Sequence, residues 1–293
     1  MSTTVSFPGL GIGEFSFDRV AFEIFGKPVY WYGIIIMLGI VAAFIHAKLR
    51  CKPEGIKTDD IIDAGIFTVL FGVLGARLYY VVTTLDTEKY ETIVDVFAIW
   101  EGGLAIYGGV ICGCTALVLT AVHKKINPLK IMDAVGPGVM LAQAIGRWGN
   151  FMNGEAFGSQ TTNFLRMGIY NYNSIYTFRT YEMVYVHPTF LYESLWNLVG
   201  FIGINIFYKH KKYDGQIFLM IFGWYGLGRM WIEGLRMDSL FLFGSSIRVS
   251  QALAIILFVT CAALLIYFAI KKPDRPFYRM EEVKTDNDKK DAK

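Results

Sequence analysis

The chain has 293 residues and a formal net charge of +3; 54% of it is hydrophobic, 18% is charged, and the mean hydropathy is +0.41. Average soluble domains are about 45–50% apolar and about 25% charged, so this composition excludes an ordinary soluble domain and favours a membrane protein. So small a net charge offers no basis for binding nucleic acid.

Residues 1–29 contain neither a basic n-region nor an apolar h-region. They read as an outward N-terminal arm, not a cleavable signal peptide. A membrane-spanning helix needs about 20 predominantly apolar residues. Seven segments qualify in chain order: 30–48, 60–82, 103–122, 131–152, 188–208, 216–235 and 250–270. Segment 96–110, VFAIWEGGLAIYGGV, reads as a partial dip before the third span. Glycines recur inside the spans, where small residues let membrane helices approach closely. Residues 154–186 are rich in Tyr, Asn and Thr and partly alternating, which predicts a small outward cap with some strand. The charged stretch 271–293 reads as a solvated cytoplasmic tail. The expected fold is an all-α polytopic membrane protein: about seven transmembrane helices over 30–270 and a small outward-facing cap. The four cysteines, one in a basic loop and three in apolar runs, lack the clustering of a disulfide framework or a zinc site.

Lysine and arginine set the orientation. With the loops assigned alternately to two sides, one side holds 18 of the 28 and the other 7, the remaining three lying inside spans. The richer side should be cytoplasmic, which puts the N-terminus outside and the C-terminus inside.

Ionisable groups inside spans are costly, so each is a candidate for function. Span four ends in GRWGNFMNGEAFG (146–158), with Arg147 and Asn150 on one helical face, and Asn153 and Glu155 following. In span six, WYGLGRMWIEGLRMD places Tyr225, Arg229, Glu233 and Arg236 on one face. Span five opens with HPTFLYES, bringing His187, Tyr192 and Glu193 to the same side; Glu101 and Tyr107 precede span three there. A guanidinium donates two hydrogen bonds at once to a phosphate or carboxylate, so facing arginines suggest an anionic head group. Glu155 and Glu233 can hold those arginines or act as general bases. Asn150 and Asn153 can donate to ester or phosphate oxygens. These residues predict an outer-leaflet site for an anionic lipid-like substrate, with no reaction specified. A transporter would need polar groups along a route through both leaflets, and the cytoplasmic halves of the spans are nearly free of charge. A scaffold of structural ion pairs would leave the two asparagines unexplained.

GRWGNFMNGEAFG closely resembles the signature of the prolipoprotein diacylglyceryl transferases, of pattern G-R-x-G-N-F-x-N-x-E. Further blocks are similar to that family in the same order: YWYGI (30–34), GARLYYV (75–81), EGGLAIYGG (101–109), HPTFLYES (187–194) and GLGRMWIEGLRMD (226–238). The resemblance covers about residues 25–270. It implies an enzyme that moves the diacylglyceryl group of phosphatidylglycerol to the lipobox cysteine of a prolipoprotein in the bilayer, forming a thioether and releasing glycerol 1-phosphate. It implies that Arg147 and Arg229 bind the phosphate and leaving group, and that Asn150, Glu155, Glu233 and Tyr225 complete the site. Gly158 and Tyr32 match further positions the family uses, and no metal or organic cofactor is implied.

One position departs from some members, which carry His where this chain has Tyr107. A tyrosine is a poor base at neutral pH. Either Tyr107 acts through hydrogen bonding or the base lies elsewhere, with His187 first and Glu155 second among substitutes; His187 could equally be a helix-start residue facing lipid head groups. Arg77 reads as a structural arginine, a partner for Glu101 or a third phosphate ligand. Asp59, Asp60 and Asp63 read as residues favouring a helix start.

Overall fold

The computed structural model describes residues 2–86, 90–99, 102–171, 182–237 and 248–271. They form two compact units: one runs through His46 and resumes at Gly136, the other spans Ala47–Val135. Glu101, residues 172–181 of the expected cap and the tail beyond 271 lie outside the described residues.

The first unit opens with strand β1 (Ser2–Phe7), a single 3-10 turn and β2 (Ile12–Asp18). A hairpin of β3 (Val20–Ile24) and β4 (Lys27–Tyr30) then leads directly into helix α1 (Trp31–Cys51). Later strands β5 (Met167–Asn171) and β6 (Val184–Val186) complete a four-stranded antiparallel sheet of order β2-β1-β5-β6. The all-α expectation is therefore corrected. Residues 2–7 are no free arm but a central strand, with Thr4 opposite both Ser16 and Tyr170. Val5, Phe7, Met167, Ile169 and Val186 are buried on this sheet together with Phe190. Removing that apolar area from water is what holds the N-terminus in place.

The remaining helices are α2 (Thr58–Thr84), α3 (Ile93–Phe97), α4 (Ile106–His123), α5 (Pro128–Asn153), α6 (Thr189–Phe207), α7 (Gln216–Leu235) and α8 (Val249–Lys271). Among the described residues, five helices are long and apolar enough to cross a membrane: α1, α2, α4, α6 with the 3-10 turn after it, and α8. Helices α5 and α7, of 26 and 20 residues, carry the arginines and carboxylates that lower their hydropathy.

In the second unit α2 and α4 touch backbone to backbone. A Cβ on Gly108 would lie 2.2 Å from the Gly75 carbonyl oxygen, so only glycine permits this approach. Arg77 is 4% exposed there. Its Nε donates to the Val96 carbonyl (2.9 Å), Nη1 to those of Gly102 (2.8 Å) and Gly103 (3.2 Å), and Nη2 to that of Asp95 (2.6 Å). Those four bonds occupy most of the guanidinium, so its observed role is to organise the segment before α4. Asp59 and Asp60 lie in the first turn of α2, where a carboxylate suits the helix dipole, while Asp60 and Asp63 also pair with Lys124, beyond the end of α4, at 3.4 and 2.5 Å.

Candidate active site

Three helix ends of the first unit meet beneath the sheet: the last turns of α5, the first turns of α6 and the last turns of α7. Phe151 of α5 stacks on Phe190 of α6 at 4.7 Å, and both pack into the apolar base of the sheet. Further along, α6 and α7 are locked by a reciprocal pair. The Trp196 and Trp224 rings stack at 4.4 Å, and each indole N–H donates to the other residue's carbonyl, at 3.0 and 2.9 Å. Each ring lies over a glycine of the opposite helix, where a Cβ on Gly228 or Gly200 would be 2.2 or 2.3 Å from an indole nitrogen. That packing fixes helix rotation, and with it the direction of the polar faces.

The polar faces converge on Glu193, which is 4% exposed. Its Oε2 pairs with Nη2 of Arg147. Its Oε1 pairs with Nη1 of Arg229 at 3.1 Å and Nη1 of Arg236 at 3.4 Å. Nη2 of Arg229 also pairs with Glu233 at 2.6 Å. Among the described residues, three guanidiniums thus share the carboxylates of Glu193 and Glu233. A buried carboxylate is tolerated only if so paired, and guanidinium N–H groups gathered at one place suit an incoming anion.

The second arm of the network runs along α5. Nη1 of Arg147 donates to the side-chain oxygen Oδ1 of Asn150 at 3.5 Å, while the side-chain amides of Asn150 and Asn153 both donate to Glu155, at 3.0 and 3.2 Å. Glu155 lies past the helix end, between Gly154 and Ala156, both at positive φ. Among the described residues it makes no ion pair with an arginine. The expectation that Glu155 holds the arginines is therefore corrected; Glu233 does so, and Glu193 is the main partner. On sequence alone Glu193 groups with the other polar residues but is assigned no role. Its signal was a carboxylate within the apolar run FLYESLW, which in a membrane helix demands a cation.

Gly158 sits where three segments cross. Its N–H donates to the His187 carbonyl at 2.9 Å, and it bridges to Arg236. A Cβ there would lie 2.7 Å from Cβ of His187 and 3.0 Å from the Leu235 carbonyl oxygen. Tyr32 of α1 packs its ring on Gly149, where a Cβ would come within 2.9 Å. Tyr225 lines a small crevice between α6 and α7 beside Glu193 and Arg229. The His187 ring nitrogen Nδ1 lies 3.4 Å from the Tyr192 hydroxyl, and among the described residues it touches no member of the arginine network. Burial pushes the His187 pKa below its usual 6.5, so its imidazole is neutral at pH 7. Tyr107 belongs to the second unit, in the first turn of α4, with its ring 6.4 Å from that of Tyr79.

A family model described as prolipoprotein diacylglyceryl transferase matches residues 19–267. The phosphatidylglycerol-prolipoprotein diacylglyceryl transferase of Enterococcus faecalis (strain ATCC 700802 / V583) is 42% identical over 270 residues, covering 91% of this chain and 96% of that protein. The protein of the same name from Staphylococcus aureus (strain Newman) is 41% identical, covering 87% and 90%. That from Listeria innocua serovar 6a is 39% identical, covering 93% and 97%.

Proposed function

The chain belongs to the prolipoprotein diacylglyceryl transferase family, and from that premise we propose how its arginine network serves the reaction. The chain is a membrane transferase acting in the first step of lipoprotein maturation. It moves the sn-1,2-diacylglyceryl group of phosphatidylglycerol to the lipobox cysteine of a prolipoprotein. The cysteine sulfur attacks the glyceryl carbon bonded to the phosphate oxygen. A C–S bond forms, the C–O bond breaks, and glycerol 1-phosphate departs with the bonding electrons while the thiol proton passes to a base.

The observation that carries this reading is the convergence of three guanidiniums, from the ends of α5 and α7, on the one buried carboxylate of Glu193. A phosphodiester carries one negative charge, and more develops on the leaving phosphate as the C–O bond breaks. Arg147 and Arg229 stabilise that growing charge more than the ground state, which is what accelerates a reaction. Arg236 and Glu193 keep their forks aligned. Asn150, Asn153 and Glu155 extend the polar wall, Tyr32 and Gly158 shape it, and Tyr225 and Glu233 close it along α7. Tyr107, His187 and Glu155 are the groups proposed to handle the thiol proton. His187 is favoured by its lowered pKa, which leaves the imidazole in its basic form at neutral pH.

The site is read as facing the outer leaflet, with seven spans, the strands forming an outward cap, the N-terminus outside and the tail cytoplasmic. The lysine and arginine asymmetry supports that topology. The reading is tested with detergent-purified protein, phosphatidylglycerol and a synthetic lipobox peptide, following glycerol phosphate release. Release should need both the peptide thiol and Arg147. Release that survives Arg147→Ala, or a peptide with Ser replacing Cys, refutes it.

A further inference from the structure

One polar side chain beside the arginine network remains unused. Asn197 of α6 is 4% exposed, yet its amide has no hydrogen-bond partner among the described residues. It lines the crevice that also holds Tyr225 and Arg229, and the Tyr225 hydroxyl likewise has no partner among the described residues. The residue is buried as a whole while its amide opens on that crevice, where its N–H groups can serve a bound molecule. Nothing in the packing of α6 calls for an asparagine there, since the lock to α7 is made by Trp196 and Trp224.

Position says what the amide is for. Asn197 follows Glu193 by one turn, and Tyr225 precedes Arg229 by one turn on the opposite helix. Both therefore lie about 6 Å from the ion-paired layer. Both are displaced the same way, from the helix ends towards the helix middles. Whichever leaflet the site faces, that direction runs from lipid head group to acyl chains. In a glycerophospholipid, the groups next below the phosphate on that side are the acyl ester carbonyls, which accept hydrogen bonds and carry no charge. An amide N–H and a phenolic O–H are donors suited to them.

We propose that Asn197, with Tyr225, forms a subsite for an acyl ester carbonyl of the lipid donor, setting the depth at which the glyceryl carbon is presented while the arginines hold the phosphate. The proposal rests on the transferase reading and adds to it a residue and a selectivity: the site distinguishes diacyl ester lipids from dialkyl ether lipids of the same head group and stereochemistry.

The test compares transfer from ester-linked and ether-linked phosphatidylglycerol to the same lipobox peptide, with wild-type protein, Asn197→Leu and Asn197→Ser. One neutral hydrogen bond corresponds to about 3- to 10-fold in kcat/KM. Wild type should favour the ester lipid by about that factor. Asn197→Leu, close in volume, should lower the ester rate to the ether rate and leave the ether rate unchanged, with a Tm near wild type because the side-chain volume is kept. Asn197→Ser, which cannot reach, should lose the preference too and decides the matter if the leucine variant does not fold. Equal wild-type rates with the two lipids, or a preference that survives both substitutions, overturns the subsite while leaving the transferase reading intact. Absence of transfer from either lipid by wild type overturns both.

Discussion

Replacing Glu193 with Gln is the sharpest perturbation of the network. The carboxylate is 4% exposed and accepts from Arg147, Arg229 and Arg236. A glutamine keeps the shape but turns one oxygen into an NH2 that faces a guanidinium, donor against donor. The cluster loses one negative charge. Removing one partner of a buried ion pair costs about 3–5 kcal/mol. The arginines retain 11–23% side-chain exposure, so water relieves part of this and about 2–3 kcal/mol is expected. For a chain this long that corresponds to a Tm lower by roughly 5–10 °C. The extra positive charge should preserve or tighten lipid binding, while the misaligned forks no longer meet the leaving phosphate. The loss should therefore fall on kcat, by about 10- to 100-fold at 1.4 kcal/mol per tenfold. Glycerol phosphate release across a lipid titration, with a thermal melt in the same detergent, measures both. A variant within about twofold of wild type in kcat and within about 1–2 °C in Tm would refute the central role assigned to Glu193.

Three further outcomes are expected. Burial holds the His187 pKa below 6.5, so the unfolded state binds the proton more readily; its contribution to stability is full above pH 6.5 and is lost as pH falls through the folded value. If His187 takes the thiol proton, kcat/KM shows an acid limb with its midpoint below 6.5, and His187→Gln lowers turnover at pH 7 and removes that limb; an unchanged profile excludes it. Gly158→Ala forces a methyl into 2.7 Å of His187 and 3.0 Å of the Leu235 carbonyl, at about 1–3 kcal/mol; activity should fall at least about tenfold as Arg236 shifts, and retention of full activity would show that the crossing can relax. Arg77→Lys keeps the charge but cannot serve four carbonyls, so about 2–3 kcal/mol of stability should be lost; a melt unchanged from wild type contradicts the organising role.

The helices α1, α2, α4, α6 and α8 were legible in the chain because hydropathy is a sum over contiguous residues, and their bounds fall within a few residues of those expected. The shared faces Arg147–Asn150 and Tyr225–Arg229–Glu233–Arg236 were legible for a similar reason, since helical spacing fixes them locally. The N-terminal strands were not. Residues 2–7, STTVSF, form a central strand whose partners are 12–18 and 167–171, and nothing in a six-residue stretch announces a partner over 160 positions away. Glu155 lies past the helix end, as expected, because Gly154 and Ala156 turn the chain there.

By itself, then, the amino-acid order determined the apolar helices, the motif-bearing faces and the family resemblance, all properties of neighbouring residues or of one helix. Only the tertiary structure decided which carboxylate meets which arginine. Glu193 rather than Glu155 takes Arg147, because Trp148 and Ser194 fix α5 against α6, and it also takes Arg229 and Arg236, because the reciprocal tryptophans set the rotation of α6 against α7. The energy of an ion pair depends on a distance of a few ångströms between separate helices. That distance is a consequence of packing along the whole interface, and no local pattern contains it.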